Sequence, residues 1–142
     1  PVRVNTCYPR RVTRDYGQHC PIAKTLDIIG DRWTLLIIRD LFLGSTKFSE
    51  FREQSSGMPT KILSDRLKSL EQHGIIDRRL YSEHPLRAEY HLTALGRSLE
   101  PVVSSIYAWG IKHVIHPAER PAIRKRVADR AAGRGTAVKP TS

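Results

Sequence analysis

Between Thr60 and His73, leucine recurs at Leu63, Leu67 and Leu70, the i, i+4, i+7 spacing of a single helix face. Most other positions there are hydroxyls, amines or carboxylates. The pattern predicts a helix from about Pro59 to His73, with Gly74 as its left-handed cap. Upstream, Ile22, Leu26 and Ile29 repeat the spacing within CPIAKTLDIIG. Pro21 suits a first helical position there, and Gly30 suits a helix end. The next stretch, RWTLLIIRDLFLG, is apolar nearly all round. A helix of that kind belongs in a core. Asp31 is its expected N-cap and Gly44 its end. STKFSEFREQ predicts a short helix capped by Ser45 and Thr46, with Phe48 and Phe51 turned inward. Ser55, Ser56 and Gly57 make a turn. A short helix, a glycine turn and a longer helix with an apolar seam form a helix-turn-helix.

After Gly74 the period changes. Ile76–Tyr81 and Arg87–Leu92 are short and rich in strand formers, with SEHPL between them, and predict a hairpin. A hairpin after a helix-turn-helix is a wing. Thr93 is placed to cap a last helix reaching about His116, bent where Pro101 removes a backbone donor. The expected fold is mainly α with one small β-hairpin. Residues 1–18 read as an N-terminal arm, 19–116 as the folded domain, and 117–142 as a basic, flexible tail with a nascent helix over Ala122–Ala132.

Charge sharpens the picture. The 142 residues carry a formal net charge of +10 and a pI near 10.1, which implies a polyanionic partner. Residues 21–116 hold thirteen bases and eleven acids, only +2. A nucleic-acid surface there must come from clustering of the bases. The remainder lies in the two ends, with +3 in residues 1–20 and +5 in residues 117–142. Such a basic tail is either simply solvated or tracks phosphates without sequence preference. Two cysteines, Cys7 and Cys20, make no disulfide scaffold. The polar, arginine-rich start shows no secretory signal, and the longest apolar run is too short to cross a bilayer. The expected setting is cytoplasmic, with reduced thiols.

A helix that reads DNA needs a face free of bulky apolar groups, since it must enter the major groove. Thr60, Lys61, Ser64 and Lys68 form such a face opposite the leucines. The hydroxyls suit a phosphate or a base, and the amines suit a phosphate or guanine. Lys47, opening the short helix, suits a backbone phosphate. Ser49 and Arg66 complete the helical set. On the wing, Arg78 and Arg79 cannot both face DNA, because neighbours on a strand point opposite ways. Arg78, His84 and Arg87 are the wing candidates. Metal chemistry is not indicated, because Cys7, His19 and Cys20 match no common zinc spacing. No phosphate loop, serine elbow or paired-acid constellation occurs. A non-enzymatic binding module without cofactor or metal is expected. The alternatives are a protein that coats DNA without sequence preference and, more remotely, a small thiol oxidoreductase using Cys20.

CPIAKTLDIIGDRWTLLIIRDLFLG, KFSEFRE, LSDRLKSLEQHGIIDRR and RAEYHLTALGRSL together resemble the HxlR-type winged helix-turn-helix regulators, relatives of the MarR group, over residues 20 to about 113. The resemblance implies a homodimeric, DNA-binding regulator of transcription. It makes Pro59–His73 the recognition helix and Ile76–Leu92 the wing. It also implies that the N-terminal segment and the last helix build the dimer. The candidate interface residues are Ile22, Trp33, Leu99, Val103, Ile106 and Trp109, with Trp33 and Trp109 also readable as core. A two-fold pair would set recognition helices roughly 34 Å apart on a near-palindromic operator, as repressor or activator. Some members sense oxidants or electrophiles through the cysteine matching Cys20, and a two-cysteine switch would need Cys7. Otherwise Cys20 is a small packing residue. A small-molecule effector beside Trp109 is a further reading.

Overall fold

The computed structural model describes residues 19–133, so the N-terminal arm, Cys7 and residues 134–142 lie outside the described residues. Among the described residues the elements run α1 (Pro21–Ile29), α2 (Arg32–Phe42), α3 (Phe48–Gln54), α4 (Thr60–Gln72), β1 (Ile76–Glu83), β2 (Leu86–Leu92), α5 (Ala94–Arg97), α6 (Glu100–His113), a 3-10 turn (Pro117–Glu119) and α7 (Arg120–Ala132). The fold is mainly helical with one two-stranded antiparallel sheet. It is a winged helix-turn-helix, as expected.

The core forms where α2, α3, α4 and the root of the hairpin meet. Ile37 and Ile38 of α2, Phe51 of α3, and Leu63 of α4 are fully sealed. Leu67, Leu70 and Ile76 are almost so. Each such side chain contributes about 1.5–3 kcal/mol by leaving water. Helix ends follow from local chemistry. Asp31 caps α2 through Oδ1, which accepts the Trp33 and Thr34 N–H groups at 3.0 Å. The Thr34 hydroxyl donates to its other oxygen. Gly44 and Gly74 close α2 and α4 at φ of 99° and 70°. In both, the next residue donates five back, Ser45 to Asp40 and Ile75 to Leu70, at 2.9 and 3.0 Å. That pair of bonds with a left-handed glycine is the Schellman closure.

The hairpin pairs Ile76 with Leu92 and Arg78 with Tyr90, and shifts register between Leu80 and Ser82. It runs beyond the expected strands to Glu83 and Leu86, with the cis His84–Pro85 peptide at its tip. Its base is anchored twice. Tyr90 N–H donates to Thr46 O at 2.8 Å, and Lys47 pairs with Glu89 in an isolated antiparallel bridge.

Two expectations are corrected. Ser45 and Thr46 do not cap α3 with their side chains. Glu50 reaches back instead and accepts the Thr46 and Lys47 N–H groups at 2.7 and 3.1 Å. A carboxylate in the first helical turn also complements the helix dipole, which a hydroxyl does not. The last helix is not one bent rod. It breaks after Arg97, and Pro101 stands in the first turn of α6, where a missing N–H has no helical partner to lose. The segment after Pro117 holds a helix over the stretch read as a nascent one, Ala122–Ala132. It forms α7, and Arg130 reaches back to the fully buried Asp40 at 3.2 Å. Arg39 shares that carboxylate at 2.8 Å, and Ser55 Oγ donates to its second oxygen at 3.1 Å.

Leu67→Ala should lower unfolding free energy by about 2–5 kcal/mol, because it opens a cavity in the tightest layer of the core. Urea denaturation at fixed protein concentration measures this, and a loss near zero would show that α4 is not held by that layer.

Candidate nucleic-acid interface

The leucine seam decides which side of α4 faces out. With Leu63, Leu67 and Leu70 pinned against the core, Thr60, Lys61, Ser64 and Lys68 all stand exposed on the opposite side. Neither lysine has an ion pair among the described residues. The face therefore presents two uncommitted ammonium groups and two short hydroxyls. Ser49 of α3 is exposed nearby in the motif. Lys47 is exposed too, with its ammonium 5.5 Å from the centre of the Tyr81 ring. The cation thereby links the start of α3 to the wing.

Arg66 is placed differently from the rest of the expected set. Its side chain is about one third exposed and lies toward Asp31, with Nε 3.3 Å from Oδ1. That nitrogen makes no hydrogen bond, so the attraction is Coulombic only. The carboxylate that caps α2 thus also attracts a cation of α4. Screening at this exposure keeps the pair below about 1 kcal/mol.

On the wing, Arg78, His84 and Arg87 are exposed. Arg78 lies across from Tyr90, on the sheet face of Ile76 and Leu92. Arg79 takes the opposite face, 3.9 Å from Asp77. Adjacent arginines are thus separated by the pleat, one without and one with an acidic neighbour.

The residues expected at a dimer interface fall into two groups. Ile22, Ile106 and Trp109 expose 70%, 52% and 62% of their surface. With Leu26 and Val102 they leave apolar area on α1 and α6 without cover from this chain. Trp33, Leu99 and Val103 instead pack, half-buried, against the chain's own core. Arg32 lies over the Trp33 ring at 5.0 Å. Cys20 is exposed and free at the N-cap of α1, beside exposed His19.

Sequence reading missed Glu50, the second role of Asp31, and the Asp40–Arg130 pair. Glu50 carries a signal, since it stands three residues after the N-cap. The other two join residues far apart in the chain and leave no periodic trace.

Comparison with known proteins agrees with this geometry. Residues 28–118 match the HxlR-like helix-turn-helix family. An HTH-type transcriptional regulator of Synechocystis is 40% identical over 94 residues, 66% of this chain and 70% of that protein. The redox regulator HypR in its oxidized form is similar in structure, with TM-score 0.63 and 35% identity over 68% of this chain and all of that one. The reduced form of the transcriptional regulator YodB from Bacillus subtilis has TM-score 0.58 and 34% identity, over 68% of this chain and 97% of that one.

Asp31→Ala should cost about 1 kcal/mol of stability by removing the α2 cap. A double-mutant cycle with Arg66→Ala should give a coupling below about 1 kcal/mol, read from denaturant midpoints. A much larger coupling would mean that the Arg66 contact, and not the cap, is the stronger role of Asp31.

Proposed function

The chain belongs to the HxlR-like helix-turn-helix family of transcriptional regulators, and from that premise we propose that two copies bind a near-palindromic operator in the cytoplasm. In this reading α4 enters the major groove. Lys61, Ser64, Thr60 and Lys68 meet bases and phosphates, and Arg78, His84 and Arg87 of the wing meet the minor groove or backbone. Lys47 and Ser49 contact phosphate beside α4, while Arg66 supports from the side through Asp31. The observation that carries the reading is the exposed, unpaired cationic face of α4 directly behind three buried leucines. Binding itself is the output, without turnover. Among the described residues no helix is long and apolar enough to cross a membrane.

The homodimer is supported by the uncovered apolar side chains of α1 and α6, Ile22 and Leu26 with Val102, Ile106 and Trp109. Two-fold pairing through these helices would present two copies of α4 on the same side of a duplex, about one turn apart. Whether the bound dimer represses or activates depends on where its operator lies relative to a promoter.

Redox response through Cys20 is supported by position and by kinship. The thiol is exposed and free at the start of α1, within reach of a dissolved oxidant. HypR is described as a redox regulator, and YodB is known in a reduced and a diamide-treated structure. A disulfide with Cys7, within or between copies, is one outcome of oxidation at that position.

Lys61→Ala should weaken operator binding about fivefold near physiological salt and reduce the slope of log affinity against log salt by about 0.9, the share of one phosphate. Titration of a selected operator at several salt concentrations measures both, and an unchanged affinity and slope would remove Lys61 from the interface. Diamide should shift the operator affinity of the unmodified chain and leave that of Cys20→Ser unchanged. Equal shifts in the two would place any sensing elsewhere.

A further inference from the structure

A cavity of about 830 Å³ lies between α2, α6 and α7. Its walls are mostly apolar, with Leu36 and Phe42 on α2, Val103 and Tyr107 on α6, and Ile123 and Val127 on α7. Ile106 of α6 lies at the rim between this cavity and the outward side chains Val102 and Trp109. The α7 wall lies beyond the residues matched to the family.

The charged groups around the cavity are unequally engaged. Arg39 and Arg130 both line it and both reach Oδ1 of the sealed Asp40. Glu100 lines it as well and accepts the Ser104 hydroxyl at 2.5 Å. Arg126 also lines it, yet has no hydrogen bond or ion pair among the described residues. Two guanidiniums thus share Asp40, while Glu100 and Arg126 have no ion pair among the described residues, and Arg126 stands beside Ile123 and Val127 of α7.

An apolar cavity of this size with a few convergent polar groups has the form of a small-molecule site. We propose that it binds an amphipathic organic carboxylate, with the hydrocarbon part between α2 and α6 and the carboxylate on Arg126. A guanidinium holds a carboxylate through two parallel N–H donors, so the match is geometric as well as electrostatic. A neutral molecule of the same shape would leave Arg126 unanswered. An ammonium would be repelled by Arg126 and would have only Glu100 to answer it. Arg130 is within the same cavity and also holds α7 to Asp40, so the bound anion would add to the closure of α7 over α2. The site stands apart from how the chain engages DNA, and its test contains none.

Isothermal titration of the full chain with 4-phenylbutyrate, 4-phenylbutan-1-ol and 4-phenylbutylammonium tests this. The carboxylate should bind once per chain, about tenfold more tightly than either the alcohol or the ammonium. Arg126→Gln should bring the carboxylate and alcohol to equal affinity, Arg126→Lys should keep most of the preference, and Val127→Trp should abolish binding by filling the space. Arg126 is exposed and has no ion pair among the described residues, so its variants should keep the circular-dichroism spectrum of the parent. No heat at millimolar 4-phenylbutyrate, equal affinity for acid and alcohol in the unmodified chain, or a preference that survives Arg126→Gln would each overturn the proposal.

Discussion

Burial of the α4 leucines against α2 is the constraint on which the rest of the molecule depends. Leu63, Leu67 and Leu70 have almost no exposed surface, and Ile37 and Ile38 face them from a helix that is itself sealed on that side. A helix has one orientation once one of its faces is fixed. Turning α4 by a third of a revolution would expose leucine and bury Lys61 or Ser64, with an unpaired ammonium or hydroxyl inside. The outward presentation of the polar face is therefore a consequence of packing, and so is the placement of the hairpin. Ile75 and Ile76 follow the Gly74 turn directly into the same core.

The charged residues divide according to what the fold asks of them. Asp31 ends one helix and attracts Arg66 from another. Asp40, fully buried, is tolerable only because two guanidiniums and a hydroxyl surround its oxygens. Removing such partners would strand a charge in a dry site, so these cations are committed to structure. Lys61, Lys68, Arg78 and Arg87 have no such commitment among the described residues. A nearly neutral domain thus still offers a basic face, because its acids are spent elsewhere.

α6 carries two different apolar faces. One looks outward with Val102 and Trp109, and Ile106 stands at its edge where the cavity begins. The other turns inward, where Val103 and Leu99 join the core and Tyr107 lines the cavity under α7. A narrow stripe could not serve both, which is why the sequence of this helix shows apolar residues all round and little periodicity. Pro101, in its first turn, separates this helix from the short α5 that continues the wing.

Local chemistry alone determined much of this protein. The leucine spacing of α4, the glycine closures at Gly44 and Gly74, the Asp31 cap and the hairpin are written in residues a few positions apart, where helix and strand periods act. The polar face of α4 was legible for the same reason, since a face is set by its opposite. Tertiary structure decided what spans the chain. Arg66 was turned to Asp31, Arg130 was brought ninety residues back to Asp40, and α7 was set against α2. Trp33, Leu99 and Val103 were drawn toward the chain's own core, while Ile22 and Trp109 were left outside. The physical reason is common to all of them. A period in sequence reports which face of an element is apolar, but only the packed neighbours decide whether that face is covered from within, and which charge a buried carboxylate will hold.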